Sequence, residues 1–490
     1  MTKDFAETGQ FANYMSQIGE SLDDFLKFEH DDALAGDANW REQLSEQLPQ
    51  KGVGIDAVAQ TLRNTVIANG SAIVRPGFTA FITTGGTTAS SIASAAASIG
   101  SPQRYTLNAF NHLEELSLNW LAEMLELGDM KGLYSTGGSV ANLVALGGAR
   151  QSAFEKIGID VASTGVDRKC CIYASAECHH TIQRSAAVLG LGRQSVRLIE
   201  CDDQMRMRPD ALRRAIEEDR KSGVFPIAVV ANTGSTNTGA IDPIKEIGEI
   251  ANANDIWFHI DGAYGLPGIL DERLRDRFVG IELTDSVIID PHKWLGACVG
   301  IAATFVRDRD ILHRAFTQEP ADYLEGSVDH QDGANAPSHS MDDFGIPYFD
   351  FGVELSAPPR GVAVWAMLKE IGVEGMRDRI KRHNDMATEL GDFVRKHPKL
   401  ELLLEPSLSI CCFRFVDDAI PDVNDFNQRI HRRLVRLNQF IPSTTKVGDA
   451  LAIRPCFVGA RSEKGQEIAL AEEVVRLGEA LLAEMLSEID

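Results

Sequence analysis

No stretch of the sequence reaches the roughly 18 consecutive apolar residues that a membrane-spanning helix needs, so a helical membrane protein is not expected. Basic residues are in deficit. Lysine and arginine total 48 against 71 aspartates and glutamates, a formal charge of −23, which disfavours nucleic acid and anionic membranes as partners. The eight cysteines form no Cys-x-x-Cys, only the adjacent pairs Cys170-Cys171 and Cys411-Cys412. Neither a zinc site nor a disulfide framework has that spacing, and reduced, buried thiols are expected. The first residues, Met1 to Glu7, lack the apolar core of a secretory signal, and a cytoplasmic protein is the expectation. There is no internal repeat and no coiled-coil seam. The nearest approach to a dinucleotide fingerprint, Gly190-Leu-Gly-Arg-Gln-Ser195, lacks its third glycine and sits in the wrong part of a strand–helix unit. A nucleotide-binding dehydrogenase is therefore disfavoured.

What is present is a chain of 490 residues, 44% hydrophobic and 24% charged, long enough for a large core and two or three domains. From about Arg168 apolar strand patterns alternate with helical ones. Strands are expected at Cys170–Ala174, Val196–Ile199, Ile227–Ala231, Trp257–Ile260, Val287–Ile289 and Ile301–Val306. That alternation predicts an α/β fold with a mainly parallel sheet and helices on both faces. Before it, helical spacing joins Phe11, Tyr14, Met15 and Ile18, then Ile55, Val58, Leu62 and Val66. A strong amphipathic helix is expected from Asn111 to Leu127. Residues 317–359 are rich in Pro, Gly, Asp, Ser and His without apolar period, the composition of a functional or a disordered loop. Residues 376–490 carry strand-like runs at Leu408–Val416 and Ala450–Ile453 and a closing helix, which suits a small α+β domain.

Candidate chemistry gathers at strand ends. Val287-Ile288-Ile289 reads as a buried strand, stopped by Asp290-Pro291, because proline lacks the N–H a strand needs. Lys293 follows directly, where open α/β sheets place their ligands. A Schiff base with a carbonyl cofactor is the chemistry such a lysine suits best, a structural lysine being the alternative. Ser135-Thr-Gly-Gly-Ser-Val-Ala-Asn-Leu143 is a glycine-rich turn opening a helix, whose free amides at Gly138 and Ser139, with the Ser139 hydroxyl, would bind a phosphate. Asp261 ends a buried strand, where a carboxylate is costly unless paired. A protonated pyridine nitrogen is one partner, and a helix cap or salt bridge the alternative. His179 follows the first strand of the alternating series and Thr236 the third. Parallel strands put all these ends on one edge.

The stretch Asp290-Pro-His-Lys-Trp294 resembles the cofactor-lysine motif of the group II pyridoxal 5′-phosphate decarboxylases, which act on aromatic amino acids, histidine, glutamate or cysteine sulfinate. The match can be followed, with gaps, from about Arg75 to about Arg454. It implies the fold type I architecture of pyridoxal-phosphate enzymes, with a seven-stranded sheet. It implies a helical, dimer-packing arm over 1–85, a large cofactor domain over 86–372 and a small domain over 373–490. It implies pyridoxal 5′-phosphate on Lys293 and a homodimer with an amino acid as substrate. His179 would stack on one face of the ring, with His180 as the alternative, and Ala263 on the other. Asp261 would meet the ring nitrogen. Thr236 would contact the cofactor, Ser235 or Asn237 being alternatives. Asp290 and His292, with Gly138 and Ser139, belong to the phosphate side. Phe81 and Thr84 would line the substrate pocket. Tyr323, on a mobile lid over 317–359, would deliver the proton that makes the amine, with Lys293 and His179 as the other catalytic groups.

Four departures from the family pattern stand out. Gly262 replaces a usual alanine. Asp290 stands where many relatives carry asparagine. One extra residue separates Pro320 from Tyr323, and Arg360 stands where a pair of arginines is usual. The implied reaction is decarboxylation of an L-amino acid to its amine, Phe81 favouring an aromatic or apolar side chain. An acidic substrate, transamination or aldehyde-forming deamination are the alternatives, because the sequence does not fix which Cα bond breaks.

Overall fold

A computed structural model of the chain describes residues 10–28, 39–104, 108–317 and 345–487. Its strands are β1 (Phe78–Thr79), β2 (Lys131–Ser135), β3 (Cys170–Ser175), β4 (Val196–Ile199), β5 (Phe225–Asn232), β6 (Trp257–Asp261), β7 (Ser286–Ile289), β8 (Ala302–Val306), β9 (Leu400–Leu404), β10 (Cys412–Phe415), β11 (Ile441–Val447) and β12 (Ala450–Arg454). They form two sheets. The larger runs β2-β8-β7-β6-β5-β3-β4, with β8 antiparallel to both its neighbours and the other strands parallel. The smaller runs β1-β11-β12-β10-β9. All six strands expected between Cys170 and Val306 are present.

The central strands read as continuous apolar runs because both faces are covered. Every residue of β3, β7 and β8 is buried. Helices flank them, each burying one stripe. Pro209–Lys221, opened by its proline, buries Ala211, Leu212, Ala215 and Ile216 and leaves its charges outside. Helix Gly138–Glu155 is different, buried along most of its length. It crosses the sheet over β5 to β8, and it can lie that close because Ala141 and Ala145 meet Ala263, Ile288 and Ala302 in a cluster of small side chains. This places the start of the helix beside the strand ends.

The sequence left four strands unread. β2 is short and carries a glycine, and β1 is two residues long. β9 and β11 lie in stretches without clear alternation. The expected strand Leu408–Val416 shortens to Cys412–Phe415, preceded by an isolated bridge between Ile410 and Cys456. β1 pairs in parallel with β11, so the N-terminal segment contributes an edge to the C-terminal sheet. The helix expected from Gly361 continues to Lys396 across a kink at Gly372, whose φ of +67° suits glycine. At the N-terminus, helix Phe11–Phe25 buries none of its side chains.

Gly262, one of the departures from the family pattern, has a steric cause. A Cβ there would lie 2.7 Å from the Ile288 carbonyl oxygen, 2.8 Å from Leu266 Cβ and 3.1 Å from Thr233 Oγ1. Its amide also donates to Ile288 O at 3.1 Å. The backbone of β7 therefore occupies the place of a side chain. Gly262→Ala should cost about 1–3 kcal/mol, the usual penalty of forcing a methyl into packed structure. Urea unfolding measures it, and an unchanged midpoint would mean that β6 and β7 have slack at this point.

Candidate active site

The carboxyl ends of β2, β3, β5, β6 and β7 lie on one edge of the large sheet, and a cavity of about 350 Å³ opens there. Gly138, Ser139, His179, Thr236, Asp261, Ala263, Asp290, His292 and Lys293 all line it. The convergence expected of the strand ends is thus realised, and β2 adds the glycine-rich turn to the same edge.

Lys293 sits in a short irregular turn after β7, its φ and ψ of −93° and −112° outside the helical region. Leu295 O accepts from the Arg379 guanidinium at 2.8 Å, and Trp294 Nε1 donates to His383 Nδ1 at 2.9 Å. Buried groups of the helix Gly361–Lys396 thereby hold the turn on which the lysine stands. The Trp294 ring stacks on Tyr264, centroids 5.2 Å apart. Lys293 Nζ lies 3.0 Å from Asp290 Oδ2, and the buried Asp290 Oδ1 has no partner among the described residues. His292 Nδ1 donates to Ile301 O at 2.6 Å, which fixes its tautomer when neutral and turns Nε2 towards Asp290, 3.8 Å away.

At the glycine-rich turn, Val140 and Ala141 donate to Gly137 O, leaving Gly138 and Ser139 as open amides of an 18-residue helix. Such a terminus suits an anion. A Cβ on Gly138 would lie 2.8 Å from Asp290 Oδ2, so only glycine lets the helix start and the lysine turn approach this closely.

At the end of β6, Asp261 is 7% exposed. Its Oδ2 accepts from Asn142 Nδ2 at 3.0 Å and its Oδ1 from the Ala263 amide at 3.2 Å. His179 Nδ1 accepts from the Thr181 amide at 3.4 Å and lies 2.9 Å from Thr181 Oγ1, which leaves Nε2 as its N–H. Burial pushes the His179 pKa down, although Asp261 pulls the other way. Its ring packs on His180, centroids 4.1 Å apart. Thr236 is fixed through its backbone, since its carbonyl accepts from Arg454, which also holds Asn237 O at 3.1 Å and Phe81 O at 2.7 Å.

Two expected residues do not reach this cavity. The Thr84 hydroxyl is buried and accepts from the Ala460 amide at 2.8 Å. Phe81 has its peptide held by Ser443 and Arg454, at a φ of +57°, and its ring 67% exposed. Both came from the family resemblance. The hydrogen bonds that fix them involve residues more than 350 positions away, which no local pattern announces. Arg360 is tied to Glu354 at 3.0 Å and to Gly300 O at 3.0 Å, a supporting role. Tyr323 lies outside the described residues. The residues that sequence reading missed are Asn142 and His259. Asn142 sits one helical turn after Gly138, and His259 is two residues before Asp261 on the same face of β6, so both carried a periodic signal.

A family model described as the pyridoxal-dependent decarboxylase conserved domain matches residues 38–416. An aromatic-L-amino-acid decarboxylase of Bacillus atrophaeus is 30% identical over 448 residues, 89% of each chain. An acidic amino acid decarboxylase of Xenopus tropicalis is 30% identical over 308 residues, 62% of this chain and 57% of that one. Among solved structures, Oryza sativa TDC with PLP and tryptamine aligns with a TM-score of 0.87 at 23% identity, covering 98% of this chain and 100% of that one. With a lysine, an open helix start and a buried carboxylate around one cavity, these matches show that the chain belongs to the pyridoxal-dependent decarboxylase family, carboxy-lyases whose cofactor is pyridoxal 5′-phosphate.

Proposed function

We propose that this enzyme decarboxylates an L-amino acid with an aromatic or apolar side chain, as a cytoplasmic homodimer, and that the nine cavity residues hold its cofactor. The observation that carries the reading is the order of groups around one cavity: open amides at Gly138 and Ser139, the amine of Lys293, and the Asp261 carboxylate. That donor set fits the group. A phosphate suits the amides, a carbonyl suits the lysine and a protonated ring nitrogen suits the aspartate. The side-chain-free approach at Gly138 leaves the cradle open.

When bound, pyridoxal phosphate supplies the sink for the electron pair left on Cα as carbon dioxide departs. Asp261 would keep a proton on the ring nitrogen, a pairing its buried setting would reward because an unpaired carboxylate there is costly. Lys293 Nζ would hold the cofactor covalently and, when not so engaged, would serve as a base or acid in the cavity. Asp290 holds that amine and orients it before attachment. His179, with Nδ1 engaged, has an N–H to offer a substrate carboxylate, and its ring and Ala263 would shield the bound ring from water. Tyr323 keeps its proposed role as proton donor on the sequence resemblance alone. An aromatic substrate is favoured because the match to the aromatic-L-amino-acid decarboxylase extends over 89% of this chain and that to the acidic amino acid enzyme over 62%.

The dimer is supported by an uncovered stripe on the N-terminal helices. Phe11 and Met15 on one, with Val58, Leu62 and Val66 following, are exposed apolar residues on segments that a second copy would cover. In this reading the Phe81 ring belongs to that covered surface, and the 1–85, 86–372 and 373–490 segments act as arm, cofactor domain and small domain. Sedimentation of the active enzyme should give a dimer, and a fully active monomer would contradict it. Among the described residues no helix is long and apolar enough to cross a membrane.

Carbon dioxide release from a panel of amino acids should be fastest with aromatic side chains and slow with glutamate or cysteine sulfinate, and the reverse order would overturn the substrate assignment. Asp261→Ala should lower that rate by roughly three orders of magnitude or more, the scale of removing a preorganised electrostatic partner. A rate near that of the parent enzyme would reduce Asp261 to a structural cap. Gly138→Ala should raise the apparent Kd for pyridoxal phosphate about tenfold, since the new methyl must displace Asp290. Titration of apo-protein measures this, and an unchanged Kd would mean that the phosphate binds elsewhere.

A further inference from the structure

Behind Asp261 runs a chain of hydrogen bonds in which each donor and acceptor role is forced. Trp257 Nε1 lies 2.8 Å from Ser286 Oγ and has only a hydrogen to give. Ser286 Oγ lies 2.8 Å from His259 Nδ1. His259 Nε2 lies 2.9 Å from Asn142 Oδ1, an atom that only accepts, so Nε2 carries the hydrogen. In the neutral ring Nδ1 must then accept, and the Ser286 hydroxyl donates to it. The amide of Asn142 is oriented in turn, with Nδ2 donating to Asp261 Oδ2 at 3.0 Å and to Thr181 Oγ1 at 3.3 Å. The Thr181 hydroxyl, having accepted, donates to His179 Nδ1 at 2.9 Å. One imidazole ring thus sets the direction of hydrogen bonds to both Asp261 and His179.

The fold supplies this arrangement directly. Trp257, His259 and Asp261 alternate on one face of β6, and Ser286 is the residue of β7 in register with His259. Asn142 descends from the first turns of the helix Gly138–Glu155, bringing the cradle and the carboxylate into one network. His259 is wholly buried and does not line the cavity. Burial keeps it neutral, lowering its pKa against the opposing pull of Asp261 and of the Ser286 backbone. A charged His259 would donate from both nitrogens, turning the Ser286 hydroxyl into an acceptor from both Trp257 and His259 and taking away the nitrogen to which its own hydrogen is given.

We infer that His259 is a positioning residue for the decarboxylase site, fixing through Asn142 the orientation of Asp261 and, through Thr181, the tautomer of His179. As a neutral donor with no free lone pair towards the site, it has no means of taking the ring-nitrogen proton from Asp261's partner. The inference rests on the proposed pairing of Asp261 with the cofactor's pyridine nitrogen.

Nitrogen NMR of the holoenzyme with labelled histidine tests it without any variant. His259, identified by the resonance that disappears in His259→Gln, should be neutral and carry its hydrogen on Nε2 from pH 6 to 9. A hydrogen on Nδ1, or an imidazolium in that range, would overturn the inference. Apo-protein is then reconstituted with pyridoxal phosphate labelled at the ring nitrogen. His259→Phe removes the donor to Asn142, so the ring resonance should move towards that of unprotonated pyridine and the Kd should rise roughly tenfold, the scale of losing a hydrogen bond to a charged group's support. His259→Gln, which retains an N–H at the same reach, should stay within about twofold of the parent enzyme. A folded His259→Phe protein with unchanged resonance and Kd would overturn the positioning role. If the parent enzyme itself holds an unprotonated ring nitrogen, the pairing with Asp261 fails, whatever the tautomer of His259.

Discussion

A carboxylate buried at the end of a sheet strand is tolerated only where something answers its charge. Asp261 has two neutral donors, the Asn142 amide and the Ala263 N–H, and among the described residues no cation within ion-pairing distance. In the proposed function its cationic partner is the protonated ring nitrogen of the cofactor. The rest of the site follows from that constraint. The small side chains Ala141, Ala145 and Ala263 let the helix descend far enough for Asn142 to reach the carboxylate. Glycine at 138 lets the same helix start close to Asp290 and the lysine turn. The proposed phosphate cradle and the proposed ring anchor are therefore set at a fixed spacing by one helix and one strand, and the amine of Lys293 arrives from the next strand over.

The second sheet matters through its grip on the loops. Arg454, at the end of β12, holds the carbonyls of Phe81, Thr236 and Asn237. Arg379 and His383 hold Leu295 and Trp294 on either side of the lysine turn's far end. Groups outside the cavity thus fix the backbone of loops that line or border it, which is how strand-end loops gain the precision of regular structure.

Much of this was legible in the sequence because period and punctuation carried it. Val287-Ile288-Ile289 followed by Asp290-Pro291 marks a strand end, and four such ends in parallel strands must share an edge. What escaped has physical reasons. β1 is too short to show alternation, and its partner β11 lies 363 residues away. The fates of Phe81 and Thr84 depend on Arg454, Ser443 and Ala460, contacts that exist only once the N-terminal segment has joined the smaller sheet through β1. Asn142 and His259 were visible as polar residues on buried faces, but their meaning appears only when helix and strand are brought together. Gly262 shows the converse: a departure from the family pattern is explained by the β7 carbonyl it approaches.

The central claim is that Lys293 is the residue that carries the cofactor. Borohydride reduction of the holoenzyme makes that attachment permanent, and mass spectrometry of the digested chain locates it. The account predicts one modified lysine, in the peptide containing Asp290 to Trp294, with the pyridoxyl group on Lys293. Cofactor found on another lysine, or on none while the enzyme still releases carbon dioxide, would contradict it.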